Sequence, residues 1–329
     1  MFYLGIDLGG TNIAAGICNE NGEILVKKSI PTRSFEKTHE TKDIKAVEAE
    51  ADIIVSDMAL LTNMLLEEMK LSVSDIEYAG IAAPGTADPV KGELVYANNL
   101  PFLNYPLSDK FAKASGISKV YIENDANAAA KGEAVCGAAK GVSDVLVITL
   151  GTGVGGGVII DNKIFSGFNH AGAELGHMVI VRDGKQCTCG RKGCYEAYAS
   201  ATALKNITRE SMLKNKDSVM WELCDGNIEN VSGRTSFDGM RKGDAAASAV
   251  VDEYISNIAC GIVNLINIFQ PKVLCIGGGI SNEKEYLLKP LLEIVEKEQY
   301  SRHSTEQTEI RIAELRNDAG IIGAAMLGL

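Results

Sequence analysis

The chain alternates short β-branched apolar runs with amphipathic stretches, and the apolar runs come in hairpin-led groups. Phe2 to Asp7 reads as a strand that meets Leu8-Gly9-Gly10-Thr11. Asn12 to Asn19 is a second strand, which Asn21-Gly22 turns into a third, Glu23 to Ile30. Asn-Gly between two apolar runs is a strong local hairpin signal. Lys42 to Lys70 follows with apolar residues at helical spacing, and Tyr78 to Ala83 is a further strand ended by Pro84-Gly85. Up to about residue 120 the pattern is one α/β unit.

The opening pattern then recurs. Val145 to Leu150 is a strand, Gly151-Thr152-Gly153 a glycine turn, Val154 to Asp161 a second strand and Lys163 to Ser166 a third. LGIDLGGTNIAAGICNENGEIL and LVITLGTGVGGGVIIDNKIF follow one supersecondary plan. Two copies imply a duplicated domain, not a solenoid, and two facing lobes leave a cleft suited to a ligand. Downstream, Ala245 to Phe269 predicts a long helix stopped at Gln270-Pro271. Val273 to Ile276 predicts a buried strand opening into Gly277-Gly278-Gly279, and Asp318 to Leu329 a small-residue helix. Lys205 to Asp244 is polar and without clear period, and reads as short helix and loop.

Composition narrows the class. A length of 329 residues suits two domains better than one core. The net charge of −11, without a Lys/Arg-rich run, disfavours nucleic acid and anionic membranes as partners. The first residues, MFYLGIDLGG, lack the basic segment of a secretory signal, and no stretch holds about 18 uninterrupted apolar residues. A cytoplasmic protein is expected.

Of eight cysteines, Cys18, Cys136, Cys224, Cys260 and Cys275 stand singly and read as small buried hydrophobes. Cys187, Cys189 and Cys194 lie within eight residues and, with His177, form H-x9-C-x-C-x4-C. One imidazole and three thiolates make a closed tetrahedral zinc set, hence a structural one. A redox pair is disfavoured because C-x-x-C spacing is missing. Glu174 precedes His177 by three residues and Glu196 follows Cys194 by two. They are either exposed surface acids or carboxylates that a zinc-pinned loop aims at the hydroxyls of a polyol. Loss of the metal is then expected to weaken sugar binding, while nucleotide binding through the distant glycine loops largely survives.

The glycine turns are the candidate phosphate loops. Gly9, Gly10 and Thr11 sit where a strand reverses, and Asp7 at the strand end suits Mg²⁺ held through water. A plain tight hairpin is the competing reading. Gly151 to Gly156 also matches G-x-G-x-x-G, but a β-branched strand follows where the dinucleotide fold requires a helix, so a dehydrogenase is rejected. Gly277, Gly278 and Gly279 mark either an adenosine contact or tight strand–helix packing. Val120 to Glu123 is a strand and Asn124-Asp125-Ala126-Asn127 opens a helix. Asp125 there is either an N-cap or a general base, and Asn124 a possible hydroxyl ligand.

Four segments carry a family resemblance: Ile6 to Thr11, Glu123 to Asn127, Gly172 to His177, and Cys187 to Glu196. Over essentially the whole chain the sequence resembles the ROK family of bacterial sugar kinases and sugar-responsive repressors. The resemblance implies an α/β, two-lobed actin-like ATPase fold (ribonuclease-H-like) with a ligand cleft between the lobes. The lobes are expected at 1–120 plus 315–329 and at 121–314, the latter with the zinc loop. It implies ATP-dependent phosphorylation of a hexose, Asp125 as catalytic base, and one structural zinc on His177, Cys187, Cys189 and Cys194. Mg²⁺ would accompany ATP on Asp7, Gly9, Gly10, Thr11, Gly151, Thr152, Gly153 and Gly277 to Gly279. Sugar contacts are implied for Asn124, Asp125, Glu174, His177 and Glu196, with Gly85 and the Asn98-Asn99 pair closing the other side. A homodimer is implied too. Repressor members carry a helix-turn-helix ahead of the first phosphate loop, whereas Asp7 comes at once here, so the kinase branch is expected. Retention of Asp7 and Asp125 speaks against a sensor that binds sugar without phosphorylating it. Ala97 to Pro101 and Ala197 to Ser200 look most like family glucokinases, although N-acetylmannosamine kinases share the same sugar residues.

Overall fold

The first apolar runs pair as their alternation requires. The computed structural model describes residues 1–33, 44–97 and 99–329. Strands β1 (Phe2–Leu8), β2 (Asn12–Cys18) and β3 (Ile24–Pro31) form an antiparallel meander, with Tyr3 opposite Cys18 and Leu8 opposite Ile13. Helix α1 (Ile44–Met69) follows; the start expected at Lys42 lies outside the described residues. Strand β4 (Ile76–Ala83) runs parallel to β1, and both are nearly continuous buried runs, as central parallel strands must be. A small antiparallel sheet comes next, β5 (Thr86–Asp88), β6 (Glu93–Tyr96) and β7 (Leu103–Tyr105), then helix α2 (Leu107–Ser115). Strand β8 (Val120–Asn124) lies parallel beside β4 and leads into α3 (Asp125–Val135). The sheet order is β3-β2-β1-β4-β8.

The second sheet repeats that plan. Strands β9 (Val145–Leu150), β10 (Val154–Ile160) and β11 (Lys163–Ile164) open it; β11 is shorter than the run to Ser166 foresaw. The helices α4 (Glu196–Ala199), α5 (Ala201–Lys214), α6 (Thr235–Arg241) and α7 (Ala245–Phe269) follow. Strand β12 (Val273–Gly277) pairs parallel with β9, helix α8 (Glu285–Glu298) comes next, and β13 (Glu309–Ile312) pairs parallel with β12. The order is β11-β10-β9-β12-β13. Helix α7 is long and apolar enough to cross a membrane by length and composition, yet 61% of its most apolar window is buried inside the protein. Asp244 caps its start by accepting the Ala247 N–H at 2.8 Å, and Gln270 ends it in the left-handed region at φ 42°.

The polar stretch 205–244 holds more order than its sequence shows. Met212, Met220, Cys224 and Val231 join Ala247 in a small core, and the Trp221 indole N–H donates to Met212 O at 3.0 Å. These apolar residues come from separate short elements, so no single period announces them.

The contacts divide the chain into two compact units: Met1–Ser143 with Gly157–Ala173 and Glu314–Leu329, and Asp144–Gly156 with Glu174–Ala313. The expected boundary at 120 therefore moves, because β8 pairs with β4 and α3 belongs to the first unit. The chain returns to that unit through the buried Glu133, whose carboxylate accepts the N–H groups of Leu315 (2.8 Å), Glu314 (3.2 Å) and Ala138 (2.8 Å). Helix α9 (Ala319–Ala325) then lies directly on the first sheet. A Cβ on Gly5 or Gly80 would come within 2.0 Å or 1.8 Å of its carbonyls, so only glycine permits that approach. The helix is shorter than the 318–329 expectation, its last residues turning instead. Cys18, Cys224 and Cys275 are buried as read, while Cys136 and Cys260 are only half-buried.

Candidate active site

In the first unit, the candidate residues lie at strand ends. The turn after β1 is closed by Gly9 N–H to Asn12 O at 2.9 Å and held by Thr32, whose hydroxyl donates to Gly9 O at 2.7 Å. Gly10 and Thr11 are exposed. Asp7 is half-buried against Gly320, where a Cβ would lie 2.4 Å from a carboxylate oxygen; glycine there leaves the acid its seat. Burial, and secondarily the charge of Asp125, pushes Asp7 up to about 6. This carboxylate therefore takes up a proton near pH 6.

Asn124 and Asp125 divide the corner between β8 and α3. Asn124 is the N-cap: its side-chain oxygen accepts the N–H groups of Ala126 (2.9 Å) and Asn127 (3.1 Å). Its amide nitrogen donates to Gly85 O at 3.0 Å, and its side chain also hydrogen-bonds the neighbouring Asp125 carboxylate. Asp125 is thereby released from capping. Its carboxylate is exposed and accepts the Ala126 N–H at 2.8 Å. Desolvation nonetheless holds it above the usual carboxylate range. The two facts are compatible: the residue as a whole is open to solvent, while protein crowds the group on a longer scale. An acid of this kind is reachable by a substrate and readier than a free carboxylate to take a proton. Behind the corner, buried Glu123 accepts from Asn124 N–H (2.9 Å) and the Asn127 side chain (3.0 Å), a support that sequence reasoning missed. Asn99 is exposed, and Asn98 lies outside the described residues.

In the second unit, the zinc set gathers. The ligand atoms of His177, Cys187, Cys189 and Cys194 all lie within 4.8 Å of one another. Zinc bonds of about 2.3 Å to sulfur and about 2.05 Å to nitrogen give tetrahedral edges of about 3.8 Å for S···S and about 3.6 Å for S···N. The observed edges are 3.7 Å for Cys189 to Cys194 and 3.6 Å from Cys187 Sγ to His177 Nδ1. The donor set fits a structural zinc ion. Desolvation, then the neighbouring cysteines, pushes the Cys194 thiol up to about 12, so a cation is needed to hold that sulfur as a thiolate. Of the two ring nitrogens of His177, it is Nδ1 that is turned to the sulfurs.

Both flanking glutamates are placed by this loop. Glu174 precedes the short 3₁₀ turn Leu175–His177; its side chain is exposed and, among the described residues, makes no hydrogen bond or ion pair. Glu196 opens α4, and its carboxylate accepts from Thr188 Oγ1 (3.2 Å), Cys187 Sγ (3.7 Å) and the Val154 N–H (3.0 Å). The turn Gly151-Thr152-Gly153 is closed by Gly151 N–H to Gly153 O at 3.0 Å. Of the triple glycine, Gly278 has φ 85° and a Cβ there would lie 2.4 Å from Leu150 O, so packing accounts for it; Gly279 faces open space. A cavity of about 400 Å³ opens beside the turn, lined among others by Thr152, Lys185, Glu196, Thr202 and Asn206.

The profile described as ROK family matches residues 3–329. The chain belongs to the ROK family. This ROK protein is 38% identical to a glucokinase of Thermotoga maritima, over 98% of this chain and 96% of that one. It is 34% identical to a glucokinase of Halalkalibacterium halodurans, over 99% and 94%. Among solved structures, a ROK glucokinase from Streptomyces griseus in complex with glucose and AMPPNP superposes with a TM-score of 0.79 at 32% identity, covering 99% of each chain. The ROK protein has the two-lobed actin-like ATPase fold of these neighbours.

Proposed function

We propose that this ROK protein transfers the γ-phosphoryl group of ATP to a hexose, D-glucose, forming glucose 6-phosphate and ADP. The likeness to glucokinases along nearly the full length of both partners carries this reading. The residues support a mechanism. Asp125, exposed and free of capping duty, accepts the proton of the O6 hydroxyl as that oxygen attacks the γ-phosphorus and the bond to the β-phosphate oxygen breaks. Asn124 offers its amide, Gly85 its neighbourhood, and Asn99 an amide to the ring hydroxyls. His177 Nε2, Glu174 and Glu196 supply further partners. The glycine turns at 9–11 and 151–153, each with an exposed stretch, would present backbone N–H groups to phosphate, and Asp7 would hold magnesium. Mg²⁺ supplies charge neutralisation on ATP, and zinc supplies rigidity to the loop holding His177. The same reading makes the protein a cytoplasmic homodimer with a hexose and ATP as its partners.

Coupled ADP release across glucose, N-acetylmannosamine, mannose and fructose, at saturating Mg·ATP, tests the assignment. Glucose should give the highest kcat/KM, and 6-deoxyglucose should bind without turnover because the attacking hydroxyl is gone. A site built to pair with hydroxyls rejects analogues that lack them. N-acetylmannosamine exceeding glucose by about tenfold, a 1.4 kcal/mol preference, would overturn glucose as the substrate. No turnover of any hexose would make the protein a sensor.

A further inference from the structure

The phosphate turn of the second unit rests on the chain that leaves the zinc loop. Three hydrogen bonds join them: Val154 N–H to Glu196 Oε2 (3.0 Å), Ala201 N–H to Gly151 O (2.8 Å), and Thr202 Oγ1 to Thr152 O (2.8 Å). A Cβ on Gly153 would lie 2.2 Å from the same Glu196 oxygen, so the turn is moulded against that carboxylate. The other oxygen of Glu196 accepts from Thr188 and Cys187, inside the metal loop. We propose that the segment from Glu196 to Thr202 is a brace through which the zinc loop sets the shape of the 151–154 turn, with Thr202 a positioning residue for nucleotide binding. The inference rests on reading that turn as a phosphate site. It reverses the expectation that nucleotide binding is indifferent to the metal: turn and zinc loop are distant in sequence but bonded in space. Each carbonyl held by the brace fixes a peptide plane, and the direction of the next N–H is fixed with it.

Thr202→Val keeps the shape of an exposed, β-branched side chain and removes only the donor. Calorimetry with a non-hydrolysable ATP analogue and Mg²⁺ should show binding weakened by about threefold to tenfold, the scale of one lost hydrogen bond. Glucose affinity and zinc content should stay as in the unaltered protein, and Thr202→Ser should restore nucleotide affinity. Gly151→Val serves as the second arm, since a Cβ there meets only Gly153 O at 4.0 Å and obstructs a ligand, not the fold. If Gly151→Val abolishes analogue binding while Thr202→Val leaves it unchanged, the brace is wrong and the phosphate turn stands. If Gly151→Val binds the analogue normally, the phosphate turn itself falls and the brace with it. Loss of glucose affinity and zinc together in Thr202→Val would mean general loosening, and would also overturn the proposal.

Discussion

Asn124 and Asp125 are neighbours in the chain with opposite duties. Either residue type makes a good N-cap, so the sequence leaves the assignment open. The structure gives the cap to Asn124, which receives two helix N–H groups, and leaves Asp125 exposed, with hydrogen bonds only from its own and the two adjoining residues. Asp125→Ala should therefore lower kcat by at least about 10²-fold, with little change in stability or glucose affinity; near-normal kcat would remove Asp125 from the mechanism. Asp7 poses a different residue-scale question. It stands at about 6 in the folded protein against 3.8 for the free group, so its ionised form is a cost to folding. That cost is fully present above about pH 6 and disappears as the pH falls toward 3.8. Asp7→Asn should then stabilise the protein at pH 8 by less than about 3 kcal/mol, with no gain near pH 3.5, while Mg·ATP binding is lost. Denaturant titrations at the two pH values check the sign: equal effects at both would refute the shift.

At the scale of elements, the hairpin turns and the metal loop are the most legible features. Glycine turns between alternating strands follow from local rules, and four soft ligands within eighteen residues (177–194) specify a metal without knowledge of the fold. The purified protein should carry about one zinc per chain. Cys189→Ser should lose it and weaken glucose, and the brace predicts that the ATP analogue weakens too. Metal analysis beside calorimetry decides this, and a fully active metal-free protein would refute the zinc role. Less legible were the supports. Gly320 under Asp7 and Thr32 on the Gly9 carbonyl act across sequence separations that no local pattern encodes, while Glu123, adjacent to Asn124, is a support only because folding buries it. The glycine run at 277–279 was ambiguous for the same reason: only the Leu150 carbonyl beside Gly278 shows that one of the three serves packing.

For the molecule as a whole, the repeated strand–turn–strand pattern already told that two similar sheets exist, because alternation and Asn-Gly or glycine turns act within a few residues. Length, acidic charge and the metal spacing likewise needed no third dimension. The assignment of 121–143 to the first unit did. It depends on β8 finding β4 and on the buried Glu133 recapturing residues 314–315, pairings whose partners lie about 40 and 180 positions apart. The same holds for the small core at 212–247, assembled from pieces too short to show a period. Sequence by itself determined the elements, the turns and the ligand set, since these are local in chain and in chemistry. Tertiary structure alone decided which carboxylate is exposed, which glycine is packed and which hydroxyl bonds the 151–153 turn, because a hydrogen-bonding group's availability depends on every neighbour that folding brings to it.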